Sequence, residues 1–312
     1  MRNNLIVKRK ELLEALGGLP EIEVQNKEWL YLLGEETRYS IMIEGIFVSE
    51  EELENALAGG RSETREVQDA INYFRTAKFV YGMAFMNYKE KDFSINIPLI
   101  RQINRGVLES KGDFRKGEVR ITGSKLVPPP FHTIENLLKL YVDWITIHRN
   151  KIDIITLAGK SHILFEIIHP FEDGNGRTGR ILLNYLMISS GFPPVILKSK
   201  NKNIYYRAIE EGECIFQGER FDKMNYNHLT ELMAKMPIKR MENILRESII
   251  SGFDRLIIQL LENKGKKLLS AVETAKIMGY SKDSIRTLIR RGKFIAVKRG
   301  KEWFTHPELF LG

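Results

Sequence analysis

The sequence predicts a mainly α-helical protein that carries a small β-hairpin and a basic carboxyl-terminal module. Apolar residues recur at helical spacing through most of the first 260 positions, for example at Leu138, Tyr141 and Ile145. Residues 116–124 instead alternate apolar and polar side chains between glycines, which predicts a short hairpin. The third observation is a concentration of positive charge near the carboxyl end.

The composition is that of an ordinary globular protein. The chain has 312 residues, of which 43% are hydrophobic and 28% charged, and this length allows two or three domains. Cys214 is the only cysteine, which excludes a disulfide within the chain and favours a reducing compartment. The amino terminus has no signal-peptide core, and no apolar run approaches membrane-spanning length. We therefore expect a cytoplasmic protein without a membrane partner.

A phosphate-binding pattern lies in the stretch HPFEDGNGRTGR, residues 169–180. An apolar helical run precedes this stretch and another follows it, which places its polar residues in a loop that opens a helix. Gly174 and Gly176 allow a tight turn whose amide N–H groups bind phosphate at the helix amino terminus. Arg177 and Arg180 are three residues apart and share a helix face, from which forked hydrogen bonds reach adjacent phosphates.

The same stretch contains a base and a metal-binding acid. His169 is suited to accept a proton from an incoming hydroxyl. Asp173 is a hard oxygen ligand suited to a Mg²⁺ ion that bridges phosphates. Each residue alone has a plain structural interpretation, such as a turn-forming aspartate, but their joint occurrence favours a nucleotide site with a proton acceptor.

Two other nucleotide motifs overlap this region and are excluded. Residues 174–179 fit the pattern G-x-G-x-x-G, but no Asp or Glu lies between Ile181 and Ile209 to bind a ribose, and no alternating strand–helix pattern surrounds the glycines. Residues 159–161, Gly-Lys-Ser, resemble the end of a P-loop. The first glycine of that motif would have to stand at position 154, which is Ile154, so we place the tripeptide inside a helix.

The stretch resembles the signature of the Fic family, H-x-F-x-D-G-N-G-R-x-x-R, at every specified position. The resemblance extends over most of residues 1–235 and implies a helical bundle with a small flap. It implies transfer of AMP from ATP to a protein hydroxyl, with His169 as general base and Asp173 holding Mg²⁺. The residues that the resemblance places on the ATP triphosphate are Gly174, Asn175, Gly176, Arg177 and Arg180.

Two further segments resemble substrate-binding parts of the family. The predicted hairpin, residues 117–124, resembles a flap that docks a target segment in extended form. The flap residues concerned would be Val119, Arg120 and Ile121, and a surface hairpin without a role is the alternative. Residues 201–206 resemble the segment that lines the nucleoside pocket, where Tyr205 or Tyr206 would stack unless it packs in the core.

An inhibitory pattern precedes the core. Ser40, Glu44 and Gly45 match the family's pattern [S/T]-x-x-x-E-[G/N], and helical spacing puts Ser40 and Glu44 on one face. The resemblance implies that Glu44 pairs with Arg180 and blocks the productive position of the γ-phosphate. A carboxylate and a phosphate cannot both occupy one guanidinium fork.

The carboxyl end is more positive than the chain as a whole, whose net charge is +8. From Lys264 to Lys301 there are twelve basic residues against two acidic ones, a balance of +10, which leaves the rest of the chain near neutral. Residues 268–312 predict two short helices separated at 278–280, with Ser281 capping the second, and then an alternating stretch. This layout resembles a winged helix-turn-helix, and both DNA and a docked protein remain open as its partner.

We therefore interpret the chain as three parts. Residues 1–62 form an amino-terminal region with the inhibitory helix, 63–236 a Fic catalytic core, and 237–312 a linker helix with the winged-helix-like module. The predicted function is a protein adenylyltransferase that uses ATP and Mg²⁺, modifies a target protein or itself, and is autoinhibited. The alternatives are a DNA-binding regulator with the core as nucleotide sensor, and transfer or removal of another phosphate-containing group. A homodimer is left open.

Overall fold

The computed structural model describes residues 2–21, 27–59, 64–120 and 126–312, and it is mainly α-helical as the sequence predicts. The helices are α1 (Arg2–Ala15), α2 (Lys27–Ile43), α3 (Glu50–Leu57), α4 (Arg65–Glu90), α5 (Ile97–Leu108), α6 (Ile134–His148), α7 (Ile154–Ile168), α8 (Asn175–Ile188), α9 (Lys202–Glu213), α10 (Tyr226–Lys235), α11 (Lys239–Asn263), α12 (Ala271–Met278) and α13 (Lys282–Arg290). The strands are β1 (Leu269–Ser270), β2 (Val297–Arg299) and β3 (Glu302–Thr305).

Helices α7 and α8 form the centre of the protein. Almost all of their side chains are buried, and they pack against each other and against α4, α5, α6, α9 and α11. Gly159 allows α11 to approach α7, because a Cβ at this position would lie 3.2 Å from Met241 Cγ. The Gly-Lys-Ser tripeptide at 159–161 is therefore inside a packed helix, as its exclusion from a P-loop requires.

Helix α11 is the linker helix expected at the start of residues 237–312. Its buried residues face α1, α7 and α9, so it contributes to the main hydrophobic core. The domain limits proposed from the sequence remain a prediction.

The carboxyl-terminal module contains the two predicted short helices, α12 and α13, and three short strands. Ser270 forms a capping box with Glu273 at the start of α12, and Ser281 caps α13 by accepting a hydrogen bond from the amide of Ser284. Strands β1, β3 and β2 form an antiparallel sheet in that order, with Val297 opposite Phe304. Two helices followed by a β-ribbon fit a winged helix-turn-helix.

A buried ion pair lies where this module contacts the main core. The Arg9 side chain is fully buried and donates from Nε to Asp254 Oδ1 at 2.7 Å and from Nη2 to the Phe294 carbonyl oxygen at 2.9 Å. The amide of Ala296 donates to the other oxygen of Asp254 at 3.4 Å. Helices α1 and α11 and the segment before β2 therefore share one charged contact.

Part of the predicted hairpin lies outside the described residues. Residues 116–120 form no strand, and residues 121–125, which include Ile121, are not described. The described helices include none long and apolar enough to cross a membrane.

Candidate active site

The loop between α7 and α8 reverses the chain with two left-handed residues. His169 ends α7 with φ of 47°, and Gly174 precedes α8 with φ of 74°. A left-handed conformation is strained for histidine and ordinary for glycine, so the surrounding contacts must hold His169 in place. The carboxyl end of α7 and the amino end of α8 consequently meet at residues 169–174.

Two buried asparagine side chains shape this loop. Asn175 accepts from the Phe171 amide at 2.9 Å and donates to the Phe171 carbonyl at 2.8 Å. Asn104, on α5, donates to the Asp173 carbonyl at 3.0 Å and to Thr178 Oγ1 at 3.3 Å. The Asn175 side chain is therefore bound to the loop backbone. The backbone N–H of Asn175 is the group that remains at the amino terminus of α8. Asn104 was not predicted from the sequence, because it lies 69 positions from Asp173 and outside the signature.

The amino terminus of α8 forms the expected anion-binding turn. The N–H groups of Asn175, Gly176 and Arg177 belong to the first helical turn, where they have no acceptor within the helix. A Cβ on Gly176 would lie 2.4 Å from Glu44 Oε1, so a residue with a side chain would clash with the carboxylate. The turn offers its amides and the positive end of the helix dipole to an anion.

Arg177 and Asp173 lie next to this turn. The Arg177 side chain is buried, and its Nε and Nη1 have no hydrogen-bond partner among the described residues. Its Nη2 lies 3.4 Å from both carboxylate oxygens of Asp173, whose side chain is 70% exposed. Asp173 Oδ1 also accepts from the Gly174 amide at 2.5 Å. The exposed carboxylate therefore remains accessible to a further ligand.

His169 is half-buried and held by one backbone oxygen. Its Nδ1 lies 3.2 Å from the Glu166 carbonyl oxygen, and because a carbonyl only accepts, the neutral ring carries its proton on Nδ1. The lone pair is then on Nε2. Burial lowers the pKa of His169 below its ordinary value, although the hydrogen bond to Glu166 opposes the shift. The ring is therefore neutral near pH 7.

Arg180 is buried and bound by the end of α2. Its Nε donates to Ser40 Oγ at 2.6 Å, and its Nη2 donates to Glu44 Oε1 at 2.7 Å and to the Ser40 carbonyl at 3.1 Å. The structure thus brings together the three residues that the sequence analysis linked. Ser40 is buried in the last turn of α2, and Glu44 directly follows that helix.

Two further carboxylates, neither of which was predicted from the sequence, lie near Arg180. Glu36, one turn before Ser40 on α2, accepts from the Tyr73 hydroxyl at 2.6 Å, and burial raises its pKa to about 7. Burial raises the pKa of Glu166 to about 8. The helical spacing of Glu36 and Ser40 was a signal for the first, whereas the apolar surroundings of Glu166 in the sequence gave no hint of its position.

The two tyrosines of α9 have different environments. Tyr205 is 2% exposed, and its hydroxyl lies 2.7 Å from Nε2 of the buried His162, so the alternative of core packing holds for this residue. Tyr206 is 41% exposed, and its hydroxyl donates to the Ile43 carbonyl at 3.4 Å. Of the two rings, Tyr206 is the one accessible from outside, close to the end of α2.

Comparison with known proteins identifies the family. The Fic/DOC family model matches residues 94–187. A probable protein adenylyltransferase of Aquifex aeolicus is 35% identical over 292 residues, which cover 90% of this chain and 88% of the relative. The protein adenylyltransferase Fic of Nematostella vectensis is 36% identical over 127 residues, which cover 39% of this chain and 30% of the relative. The chain belongs to the Fic/DOC family.

Solved structures share the fold. A Fic-domain signalling protein of Bacteroides thetaiotaomicron has a TM-score of 0.66 at 19% identity, and the match covers 84% of this chain and 98% of that one. A Fic family protein of Desulfovibrio desulfuricans has a TM-score of 0.55 at 16% identity and covers 98% of this chain and 95% of that one. The second match therefore spans the carboxyl-terminal module as well as the core.

Proposed function

We propose that this protein is a protein adenylyltransferase that moves AMP from ATP to a Ser, Thr or Tyr hydroxyl of a target protein. The observation that carries the proposal is the arrangement of His169 beside the amino terminus of α8, with Arg180 on the same helix. The relative that is 35% identical over most of both chains is named a probable protein adenylyltransferase.

The reaction would be an in-line displacement at the α-phosphorus of ATP. The target oxygen forms a bond to this phosphorus, and the bond to the oxygen that bridges to the β-phosphate breaks, which releases pyrophosphate. His169 Nε2 takes the proton of the attacking hydroxyl, as its neutral state and Nδ1–H tautomer allow. The α8 amides, Arg177 and Arg180 stabilise the phosphate charges, which is the main work in phosphoryl-type transfers.

The site fits a Mg²⁺ ion. Mg²⁺ binds to proteins through one or two carboxylates and otherwise through substrate phosphates and water, and Asp173 offers one exposed carboxylate beside the phosphate-binding turn. Bound there, the ion would neutralise charge on the triphosphate. We assign this ligand role to Asp173.

Two further roles are proposed for the surroundings of the site. Tyr206 would stack on the nucleoside, because its ring is accessible and Tyr205 is in the core. Val119 and Arg120 would contact the target segment as residues of the flap. The family resemblance gives the same role to Ile121, which lies outside the described residues.

Glu44 would act as an inhibitor of this site. Its Oε1 accepts a hydrogen bond from Arg180 Nη2 at 2.7 Å. The same guanidinium would be needed to bind a nucleotide phosphate. ATP bound while this ion pair persists would lack one phosphate contact and lie in an unproductive position.

The test is to incubate the Glu44→Gly variant with Mg²⁺ and ATP labelled at the α-phosphate. We expect label on protein, with much less from the unmodified chain and none from Glu44→Gly/His169→Ala. ATP labelled at the γ-phosphate distinguishes AMP transfer from phosphate transfer. Glu51→Gly, which removes an exposed carboxylate from α3, is the matched control and should behave like the unmodified chain. An intact Glu44→Gly variant that transfers no label would exclude the proposal.

The module at the carboxyl end supports a second candidate function, nucleic-acid binding. Lys282 and Arg290 are exposed and Arg286 is partly exposed along α13, the position of a recognition helix. Duplex DNA binding that weakens steeply with salt, and is lost in Lys282→Glu/Arg290→Glu, would support a regulator with the core as nucleotide sensor. Absence of binding together with labelling activity would favour a protein-docking module.

We also propose that the protein is located in the cytoplasm, a reducing compartment, because its sequence has a single cysteine.

A further inference from the structure

One buried arginine outside the signature contacts three separate segments of the site. Arg115 follows α5, and its residue surface is 2% exposed. Its Nε donates to the His169 carbonyl at 2.8 Å, its Nη1 to the Gly117 carbonyl at 2.9 Å, and its Nη2 to the Pro129 carbonyl. Its backbone amide also donates to the Pro170 carbonyl at 3.0 Å.

These contacts are not those of an ordinary ion pair. Among the described residues, the carboxylate that pairs with it is that of Glu118, which is 3.9 Å from Nη1 and whose side chain is 62% exposed. The positive charge is therefore stabilised mainly by hydrogen bonds to three carbonyl oxygens. Because the guanidinium is planar and its N–H directions are fixed, the three acceptors are fixed relative to one another.

The first acceptor belongs to the proposed general base itself. His169 has the left-handed φ of 47° that its side chain disfavours. Such a conformation persists only where surrounding contacts determine it. Arg115 binds the carbonyl of this residue and, through its own amide, the carbonyl of the next residue, so it restrains the backbone that carries the imidazole ring.

The other two acceptors fix the chain on either side of the proposed flap. Gly117 directly precedes the described residues Glu118, Val119 and Arg120, and Pro129 follows the described residues Leu126, Val127 and Pro128. One guanidinium therefore joins the base residue to the chain where it leaves for the flap and where it returns from it.

We propose that Arg115 is a positioning residue. It holds His169 and the two flap ends, Gly117 and Pro129, in a fixed relative position, so that a docked hydroxyl reaches the Nε2 atom of His169. The inference rests on the proposed transferase function. It concerns alignment, so a substitution should lower kcat more than it raises the KM for ATP. Misplacement by about 1 Å lowers rates on the order of 100-fold.

The test compares two substitutions in the Glu44→Gly background. Arg115→Lys keeps the charge but not the three-way fork, and Arg115→Gln removes the charge as well. We expect kcat for target or self-labelling to fall about 10- to 100-fold in both variants, with the KM for ATP changed less than about threefold. Arg101→Lys is the control, because Arg101 contacts Gly112 and Asp113 on the same surface but not His169; it should keep the parent rate.

A second readout separates alignment from charge. Among the described residues, the charged side chains that act on the His169 ring are Arg115, Glu44 and Asp173. An NMR titration of the His169 ring should give a higher pKa in Arg115→Gln than in Arg115→Lys, because only the latter keeps a cation. Amide exchange of peptides that cover residues 115–120 and 166–171 should be faster in both variants than in Arg101→Lys.

The possible failures are distinguishable. If the Glu44→Gly parent transfers no label, the proposed function fails, and the amide-exchange measurement still decides whether Arg115 holds these segments. Parent-level kcat with unchanged exchange in folded Arg115→Lys would overturn the inference. A loss confined to ATP affinity would also overturn it, since alignment of the hydroxyl would then be unaffected. If Arg115→Lys does not fold, Arg115→Gln, whose amide retains donors for part of the fork, provides the same comparison.

Discussion

Glu44 and Arg180 form an ion pair in which one partner is buried and the other is accessible. The two are joined at 2.7 Å, and the Arg180 side chain is 2% exposed whereas that of Glu44 is 33% exposed. Arg180 also keeps two hydrogen bonds to Ser40. The carboxylate can therefore leave without loss of the other contacts that hold the guanidinium, which is the asymmetry that a releasable inhibitor needs.

The first prediction grades the removal of this contact. Glu44→Gln keeps a hydrogen bond to the charged Arg180 but loses the negative charge of the acceptor, and Glu44→Gly keeps neither. A neutral amide oxygen binds the Arg180 cation more weakly than a carboxylate does, because it lacks the opposite charge, so relief should be partial in the first variant and full in the second. Initial rates of labelling should rise in the order unmodified, Glu44→Gln, Glu44→Gly. Equal rates in all three would refute competition for Arg180.

The sequence predicted the central part of this site because the necessary residues are contiguous. The stretch from His169 to Arg180 contains the loop and the start of α8, so local spacing was enough to place them. The pairing of Glu44 with Arg180 spans 136 positions and came from the family resemblance, with helical spacing adding only that Ser40 and Glu44 share a face. Fold class and family were predicted from periodicity and from the signature, and the helical structure and the similar proteins confirmed both.

Tertiary contacts account for what the sequence could not give. Arg115 directly precedes the predicted hairpin and was not singled out, and its three acceptors are carbonyl oxygens, which leave no trace in side-chain chemistry. Asn175 was assigned to phosphate, but its side chain binds the Phe171 backbone because the loop closes over it. Burial likewise separates Tyr205 from Tyr206, which are neighbours of the same residue type.

The second prediction concerns the decrease of labelling activity at low pH. A general base must be neutral, and burial lowers the pKa of His169 below its ordinary value of 6.5. The midpoint of the decline in labelling by Glu44→Gly at low pH should therefore lie below pH 6.5. The rate should be measured at constant ionic strength with saturating ATP. Glu36→Gln serves as control, because Glu36 also titrates near neutrality beside Arg180; a midpoint above 6.5 that persists in this variant would contradict the assignment.

The third prediction uses Glu36 itself. Its pKa is raised from 4.5 to about 7, so the folded state binds a proton that the unfolded state releases between these values. The free energy of unfolding should therefore decrease as the pH rises from about 4.5 to 7. Glu36→Gln retains an oxygen that accepts from Tyr73 and carries no charge, so it should stabilise the protein above pH 7 by about 1–3 kcal/mol. Denaturant melts at pH 5.5 and 8 check this: the variant's advantage should be larger at pH 8, and an equal effect at both values would contradict it.

The fourth prediction concerns the attachment of the carboxyl-terminal module. Arg9→Met leaves the Asp254 carboxylate buried without its cation, and removing one partner of a buried pair costs about 3–5 kcal/mol. The cost should appear as a lower free energy of unfolding. Arg9→Met/Asp254→Leu removes both charges and should recover much of the stability, because the unpaired carboxylate is the main penalty. Arg9 also donates to the Phe294 carbonyl, so the double variant should remain below the unmodified protein. A double variant less stable than Arg9→Met would show that packing, and not the buried charge, dominates this contact.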